Sequence, residues 1–163
     1  MHAKRLALAI AFVVLSICGG ASAASAAHHS PISIRIVLDS THAKAGTPIH
    51  GTAILTNTNR TRLLVEACAY NGWLFVGLTN QSVTFDPAVT TVGCAPSVTL
   101  KPGENRFRVT VATTYQECEV HGTPRCTKNG APALPKGTYY TDVVTLGLPK
   151  GTPTLTHLRV TLQ

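Results

Sequence analysis

The stretch LPKGTYYTDVVTL, residues 134–146, predicts a turn that leads directly into a β-strand. Pro135 fixes its backbone φ at about −65°, which suits the second position of a β-turn, and Gly137 suits the last position. From Tyr139 to Leu146 most residues are aromatic or β-branched, and such residues favour an extended chain. The stretch therefore indicates a fold built from strands and tight turns.

The pentapeptide LPKGT occurs twice, at residues 134–138 and again at residues 148–152. The residues that follow the two copies differ, so the copies are not units of a longer repeat. In both copies Gly precedes Thr, whereas a cell-wall sorting signal is cut between Thr and a following Gly. Both copies are therefore predicted to be β-turns with Pro at the second position.

Apolar and polar residues alternate through much of the chain. In one such segment Ile32, Ile34 and Ile36 fall on one face, and Ser33 and Arg35 on the other, which predicts a half-buried strand. Further strands are predicted at residues 48–56, 63–65, 73–79, 106–111, 139–146 and 154–162. Residues 101–104, KPGE, predict a type II turn in which Gly103 has a positive φ. Seven or eight short strands joined by turns predict an all-β fold with a single antiparallel sandwich.

Two features resemble immunoglobulin-like sandwiches. Tyr139 follows a turn glycine by two residues, as in the tyrosine corner, where the phenol bonds a nearby backbone group. Trp73 is similar to the core tryptophan of such domains. More broadly, the layout resembles that of small secreted actinobacterial proteins with an immunoglobulin-like sandwich, in the segments AGTPIHGTAILTNTN (45–59), CAYNGWLFVGLTN (68–80), LKPGENRFRVTV (100–111) and LPKGTYYTDVV (134–144). The resemblance implies one immunoglobulin-like domain over residues 32–163 and brings no assigned activity.

The first 23 residues have the pattern of a signal peptide. Lys4 and Arg5 are followed by an apolar run of 13 residues that ends at Cys18, and then by small residues up to Ala23. The run is shorter than the roughly 20 residues that span a bilayer as a helix, so no transmembrane helix is expected. We predict cleavage after Ala23, a mobile tail over residues 24–31, and a secreted or cell-envelope location. Cleavage as late as Ala27, or a lipid on Cys18, is the alternative.

Four cysteines remain after that cleavage, and an even number in an exported chain predicts two disulfides. Three pairings are possible; the spacing of Cys118 and Cys126 suits a short closed loop and favours their pairing, which leaves Cys68 with Cys94. A zinc site formed by Cys118, His121 and Cys126 is the competing interpretation.

The charges of the mature chain are scattered along the sequence. Twelve Lys and Arg remain against seven Asp and Glu, with no basic run. This pattern is typical of a solvated surface or of weak attraction to anionic wall polymers or lipid head groups. An exported chain without a recognition motif is not expected to bind nucleic acid.

The sequence contains none of the common catalytic or nucleotide-binding motifs, so a non-enzymatic role without a cofactor is predicted. Glu117 and Glu119 would share one face if that segment were a strand, but no catalytic residue is assigned. A copper site is an alternative. If cleavage exposes His28 as the first residue, or Ala27 with His29 third, the amine and imidazole nitrogens could hold copper. With cleavage after Ala23, both histidines lie in the tail.

The segment 115–135 breaks the alternation and is predicted to be a long loop braced by the Cys118–Cys126 disulfide. Its tip, with His121, Thr123 and Arg125, is the candidate binding loop. The predicted function is therefore a secreted, non-enzymatic binding or envelope-associated protein, whose partner is an unknown protein or an envelope polymer. A sandwich-type proteinase inhibitor is a further alternative.

Overall fold

A computed structural model describes residues 30–66, 72–87, 97–119, 123–149, 151–154 and 157–163. Within these ranges the chain is all-β, as the alternating pattern predicts, and contains no helix. The strands in chain order are β1 (Ile32–Leu38), β2 (His42–Ala43), β3 (Ile49–Asn57), β4 (Leu63–Val65), β5 (Leu74–Thr79), β6 (Val98–Leu100), β7 (Gly103–Val111), β8 (Gly137–Thr145) and β9 (Arg159–Leu162).

Two main sheets contain most of these strands. One has the order β1-β3-β7 and the other the order β2-β9-β8-β5, while β4 and β6 form a separate two-stranded sheet. All pairs are antiparallel except β2 with β9, which run parallel, with His42 opposite Thr161. The predicted antiparallel sandwich is confirmed, and this short pair is a local addition to it. With only two residues, β2 is too short to show alternation in the sequence.

The core lies between the two main sheets. Alternate residues of β1 and β3 point inward, as predicted, and the buried side chains of both sheets form one cluster. Its largest fully buried members are Tyr139, Ile32, Ile34, Ile36, Leu55, Leu100, Leu162, Val65, Val111 and Val160. Because apolar side chains of both sheets meet in one cluster, the domain is a β-sandwich.

The last predicted strand is longer than the one observed. Residues 154–162 were expected to be extended throughout, but β9 contains only Arg159–Leu162. Thr154 instead forms an isolated parallel bridge with Ile34 of β1, and the amide of Ile34 donates to Pro153 O at 3.0 Å. The chain therefore passes the edge of the first sheet before it joins the second.

Two of the predicted turns have the backbone geometry that a turn requires, and one of these is shifted. Gly103 has a φ of 85°, as a type II turn at residues 101–104 requires. In the second LPKGT copy the amide of Thr152 donates to Pro149 O at 3.1 Å. Pro149 is therefore the first residue of that turn and not the second. The shift places Gly151, with a φ of 81°, at the third position, where a positive φ is needed.

Tyr139 makes the hydrogen bond that the tyrosine-corner resemblance implies. Its side chain is 1% exposed, and Oη donates to Pro135 O at 2.8 Å. Trp73, in contrast, precedes β5 and is only half-buried. Its ring packs edge-to-face on Phe107, with the ring centroids 5.1 Å apart. The tyrosine therefore fixes the entry to β8, while the tryptophan packs at the margin of the core.

Tyr139→Phe is expected to lower the free energy of unfolding by about 1 kcal/mol, because Pro135 O loses its donor. Burial, and secondarily the neighbouring Tyr115, raises the pKa of Tyr139 above its ordinary value of 10.0, while a hydrogen bond with Asn80 opposes the rise. The stability due to this proton is complete below about pH 10 and is lost as the pH rises through the raised pKa. Between about pH 8 and about pH 11, the free energy of unfolding measured with denaturant should fall more for the wild type than for the phenylalanine variant. Equal losses would contradict this assignment.

Candidate functional site

The excursion between β7 and β8, residues 115–135, is closed at its base by backbone hydrogen bonds. The amide of Leu134 donates to Thr113 O at 2.9 Å, and the amide of Tyr115 donates to Pro132 O at 2.9 Å. The excursion therefore leaves the sandwich as a short two-chain ladder, which restricts the path of everything beyond it.

A disulfide between Cys118 and Cys126 closes the excursion further out, so the pairing predicted from the spacing is confirmed. The two Cα atoms are 5.1 Å apart. Within the enclosed loop the amide of Glu119 donates to Pro124 O at 3.0 Å. Glu119 has a φ of 64° and is the only residue other than glycine with a positive φ in the described part of the chain. The cross-link and this bond together reduce the conformational freedom of the loop.

The predicted binding residues have different environments. Arg125 is exposed, whereas Thr123 is half-buried and lines a cleft at the base of the excursion. His121 lies outside the described residues. Thr123 and Arg125 therefore belong to one braced loop, but only Thr123 faces the cleft.

This cleft, of about 220 Å³, lies between the excursion and residues 83–87, which follow β5. Its apolar lining consists of Leu78, Val83, Phe85, Pro87, Ala112 and Leu134. Its polar lining consists of Thr84, Asp86, Thr114, Tyr115, Gln116, Glu117 and Thr123. The cleft thus joins the predicted binding loop to a second surface segment, which the sequence did not assign to the site.

Phe85 holds the second segment against β5. Its ring lies directly on the backbone of Gly77, where a Cβ atom would overlap the ring. Thr79 Oγ1 donates to Val83 O at 2.8 Å, and the amide of Asn80 donates to the same oxygen at 2.8 Å. One wall of the cleft is therefore fixed by packing and by hydrogen bonds. An isolated glycine within a strand often marks such a close approach, so Gly77 was the available sequence signal.

The cleft has acidic side chains and no basic ones among its described lining residues. Asp86 and Glu117 both line it, and both are exposed. Glu119 lies in the disulfide-closed loop, and residues 117–119 form no strand. The interpretation that Glu117 and Glu119 share a strand face is therefore wrong. An apolar floor with carboxylates beside it suits an apolar group that carries a positive charge.

The metal alternatives have different outcomes. The disulfide uses both Cys118 and Cys126, so the zinc interpretation, which needs their thiolates, is wrong. His28 and His29 lie outside the described residues, as do the signal segment and the predicted Cys68–Cys94 pair. The described ranges contain no group of three or more His, Cys, Asp or Glu side chains able to hold a metal ion. Nor do they contain a helix with the length and apolar character needed to span a membrane.

No protein-family model matches the sequence, and no curated protein matches it. Among solved structures, the fold is similar to part of a novel β-glucosidase from Erythrobacter marinus, with a TM-score of 0.47 and 12% sequence identity. The match covers 82% of this chain but only 16% of the glucosidase chain. No function follows from this likeness.

Proposed function

We propose that the chain is a secreted, non-catalytic binding protein with an immunoglobulin-like fold, and that it holds a partner protein at the braced excursion and the adjoining cleft. The partner segment carries apolar and basic side chains, because they complement the floor of the cleft and the carboxylates of Asp86 and Glu117. The predicted signal peptide supports export, and the Cys118–Cys126 disulfide is compatible with an extracellular protein.

The strand order supports the immunoglobulin-like part of the proposal. Immunoglobulin-type sandwiches place their A, B and E strands in one sheet and C, F and G in the other. The sheets here have β1, β3 and β7 in one and β5, β8 and β9 in the other, in the same chain order. The bond from Tyr139 to Pro135 O falls near the start of β8, where the tyrosine corner occurs in strand F.

The observation that carries the binding role is the bracing of the excursion. Hydrogen bonds close its base, and the disulfide closes its outer part. A loop ordered before binding loses less conformational entropy when a partner docks, so more of the contact energy remains as affinity. Packing of Phe85 on Gly77 likewise fixes the opposite wall of the cleft before a partner binds.

In the experiment that tests this proposal, the exported protein is immobilised and used to capture partners from the secreted and envelope proteins of the producing organism. Phe85→Ala removes a wall of the cleft, and Arg125→Ala removes the exposed cation of the loop. Phe85→Ala is expected to weaken retention of the partner about tenfold or more, the size expected for a central interface residue, and Arg125→Ala, at a position outside the cleft, is expected to weaken it less. The matched control is Arg62→Ala, an exposed arginine outside the excursion and the cleft, which should retain the partner as the wild type does.

The double variant Cys118→Ser/Cys126→Ser separates bracing from contact. It leaves Arg125 and Phe85 in place but should still weaken binding, because the loop must then be ordered at the moment of docking. A partner retained equally by all variants would refute the proposal. If the retained partner is a proteinase and its retention requires Arg125, the result would support the alternative function of a proteinase inhibitor.

A further inference from the structure

Folding gathers arginines that are scattered in the sequence. Arg35 on β1 and Arg106 and Arg108 on β7 are exposed on the outer face of the sheet β1-β3-β7. Arg35 lies opposite Ile54 of β3, and Ile54 in turn lies opposite Arg106. The three arginines therefore form one patch, the basic face, on the sheet that does not contain β8.

Two arginines of the basic face, Arg35 and Arg106, lie beside one carboxylate. Glu104 accepts a hydrogen bond from Arg106 at 2.8 Å and lies 3.7 Å from Arg35. Ile54 points outward between these two arginines, yet it is only 3% exposed. Its neighbours across the sheet are Arg35 and Arg106, and long charged side chains can cover apolar surface while their heads stay in water.

The basic face retains an excess of positive charge. Glu104 is shared by two arginines, and Arg108 has no ion pair among the described residues. Lys101 precedes β7, and Asp39 follows β1 at the opposite end of the sheet. Arginine guanidinium groups bind phosphate oxygens in a bidentate manner, so a face of this kind favours phosphate groups.

We propose that the basic face binds a linear phosphodiester polymer, laid across the sheet. Residues two apart on a strand, such as Arg106 and Arg108, are about 7 Å apart, and positions two strands apart, such as Arg35 and Arg106, are about 10 Å apart. An extended polymer with phosphates at comparable intervals can contact more than one arginine at once. A flat sheet surface accommodates such a chain along its whole width.

A lipid surface fits the basic face less well. Proteins that lie on membranes insert large apolar side chains beside their basic residues. The exposed large apolar residue on this face, among those described, is Val37, which is 43% exposed. A polymer needs only the charge pattern, which is what the face provides.

The test uses poly(glycerol phosphate) as the probe and measures its dissociation constant by titration at several salt concentrations. Arg106→Gln/Arg108→Gln is expected to weaken binding about tenfold and to flatten the salt dependence, because ionic contacts are lost. The matched control, Lys136→Gln/Arg159→Gln, removes the same charge from exposed positions outside this sheet and should change binding less than about twofold. Arg106→Lys should weaken binding by an intermediate amount, because lysine keeps the positive charge but cannot make the bidentate contact of a guanidinium group.

Equal losses in the two double variants would overturn the proposal, because they would show attraction to net charge alone. Binding to vesicles with anionic lipid but not to the polymer would also overturn it. The basic face is a different surface from the braced excursion. Arg125→Ala should therefore leave polymer binding unchanged, so that either proposal can fail without the other.

Discussion

Asn57→Asp is expected to lower the free energy of unfolding by about 3 kcal/mol, although it changes one side-chain atom. Asn57 is 1% exposed at the end of β3. Its Nδ2 donates to Thr61 O at 3.1 Å and to Leu100 O at 3.2 Å, and its Oδ1 accepts from the amide of Asn59 at 3.0 Å. An aspartate has no donor for the two carbonyl oxygens and adds a buried negative charge beside them.

The control is the same substitution at Asn105, whose amide makes bonds of the same kind. Asn105 Nδ2 donates to Lys101 O at 2.8 Å and to Gly103 O at 3.1 Å. Asn105 is half-buried beside an exposed turn, where water can reach the carbonyls of Lys101 and Gly103 when they lose their donor. Its third bond, to Leu55 O, is long at 3.5 Å. Asn105→Asp should therefore cost less than about 1 kcal/mol in urea unfolding. Similar losses at both positions would show that Asn57 does not have the special role assigned to it.

The buried role of Asn57 is not predictable from the sequence. The run Asn57-Thr58-Asn59-Arg60 consists of turn formers, and a turn is what it predicts after β3. The structure makes Asn57 the last residue of the strand and buries it. Its partner Leu100 is 43 residues away in the chain. Nothing local in the sequence indicates that a distant carbonyl needs this donor.

Features with a local cause were predictable, in contrast. The inward faces of β1 and β3 follow from alternation, because a strand that is buried on one side has a period of two. The Cys118–Cys126 pairing follows from a short spacing with turn residues between. The hydrogen bond of Tyr139, which the resemblance to the tyrosine corner implies, spans only four residues. The cleft and the basic face were not predictable. Each depends on segments that are adjacent only because of the strand order.

Gly77→Ala is expected to lower the free energy of unfolding by about 2 kcal/mol and to abolish partner retention at the cleft. The added Cβ atom would overlap the ring of Phe85, so either the ring or the strand must move. The φ of Gly77 lies outside the left-handed region, so an alanine backbone is not strained there. Steric conflict with Phe85 is then the main cause of the lost stability, and it displaces the wall of the proposed binding site.

A double-mutant cycle isolates that conflict. In the Phe85→Ala background the same glycine substitution should cost nothing or raise stability slightly, because alanine restricts the unfolded chain more than glycine does. The interaction free energy from the cycle should thus be about 2 kcal/mol, measured by denaturant unfolding of all four proteins. Additive losses would mean that the ring does not rest on residue 77. The wall of the cleft would then lack the fixed position on which the proposed docking of a partner depends.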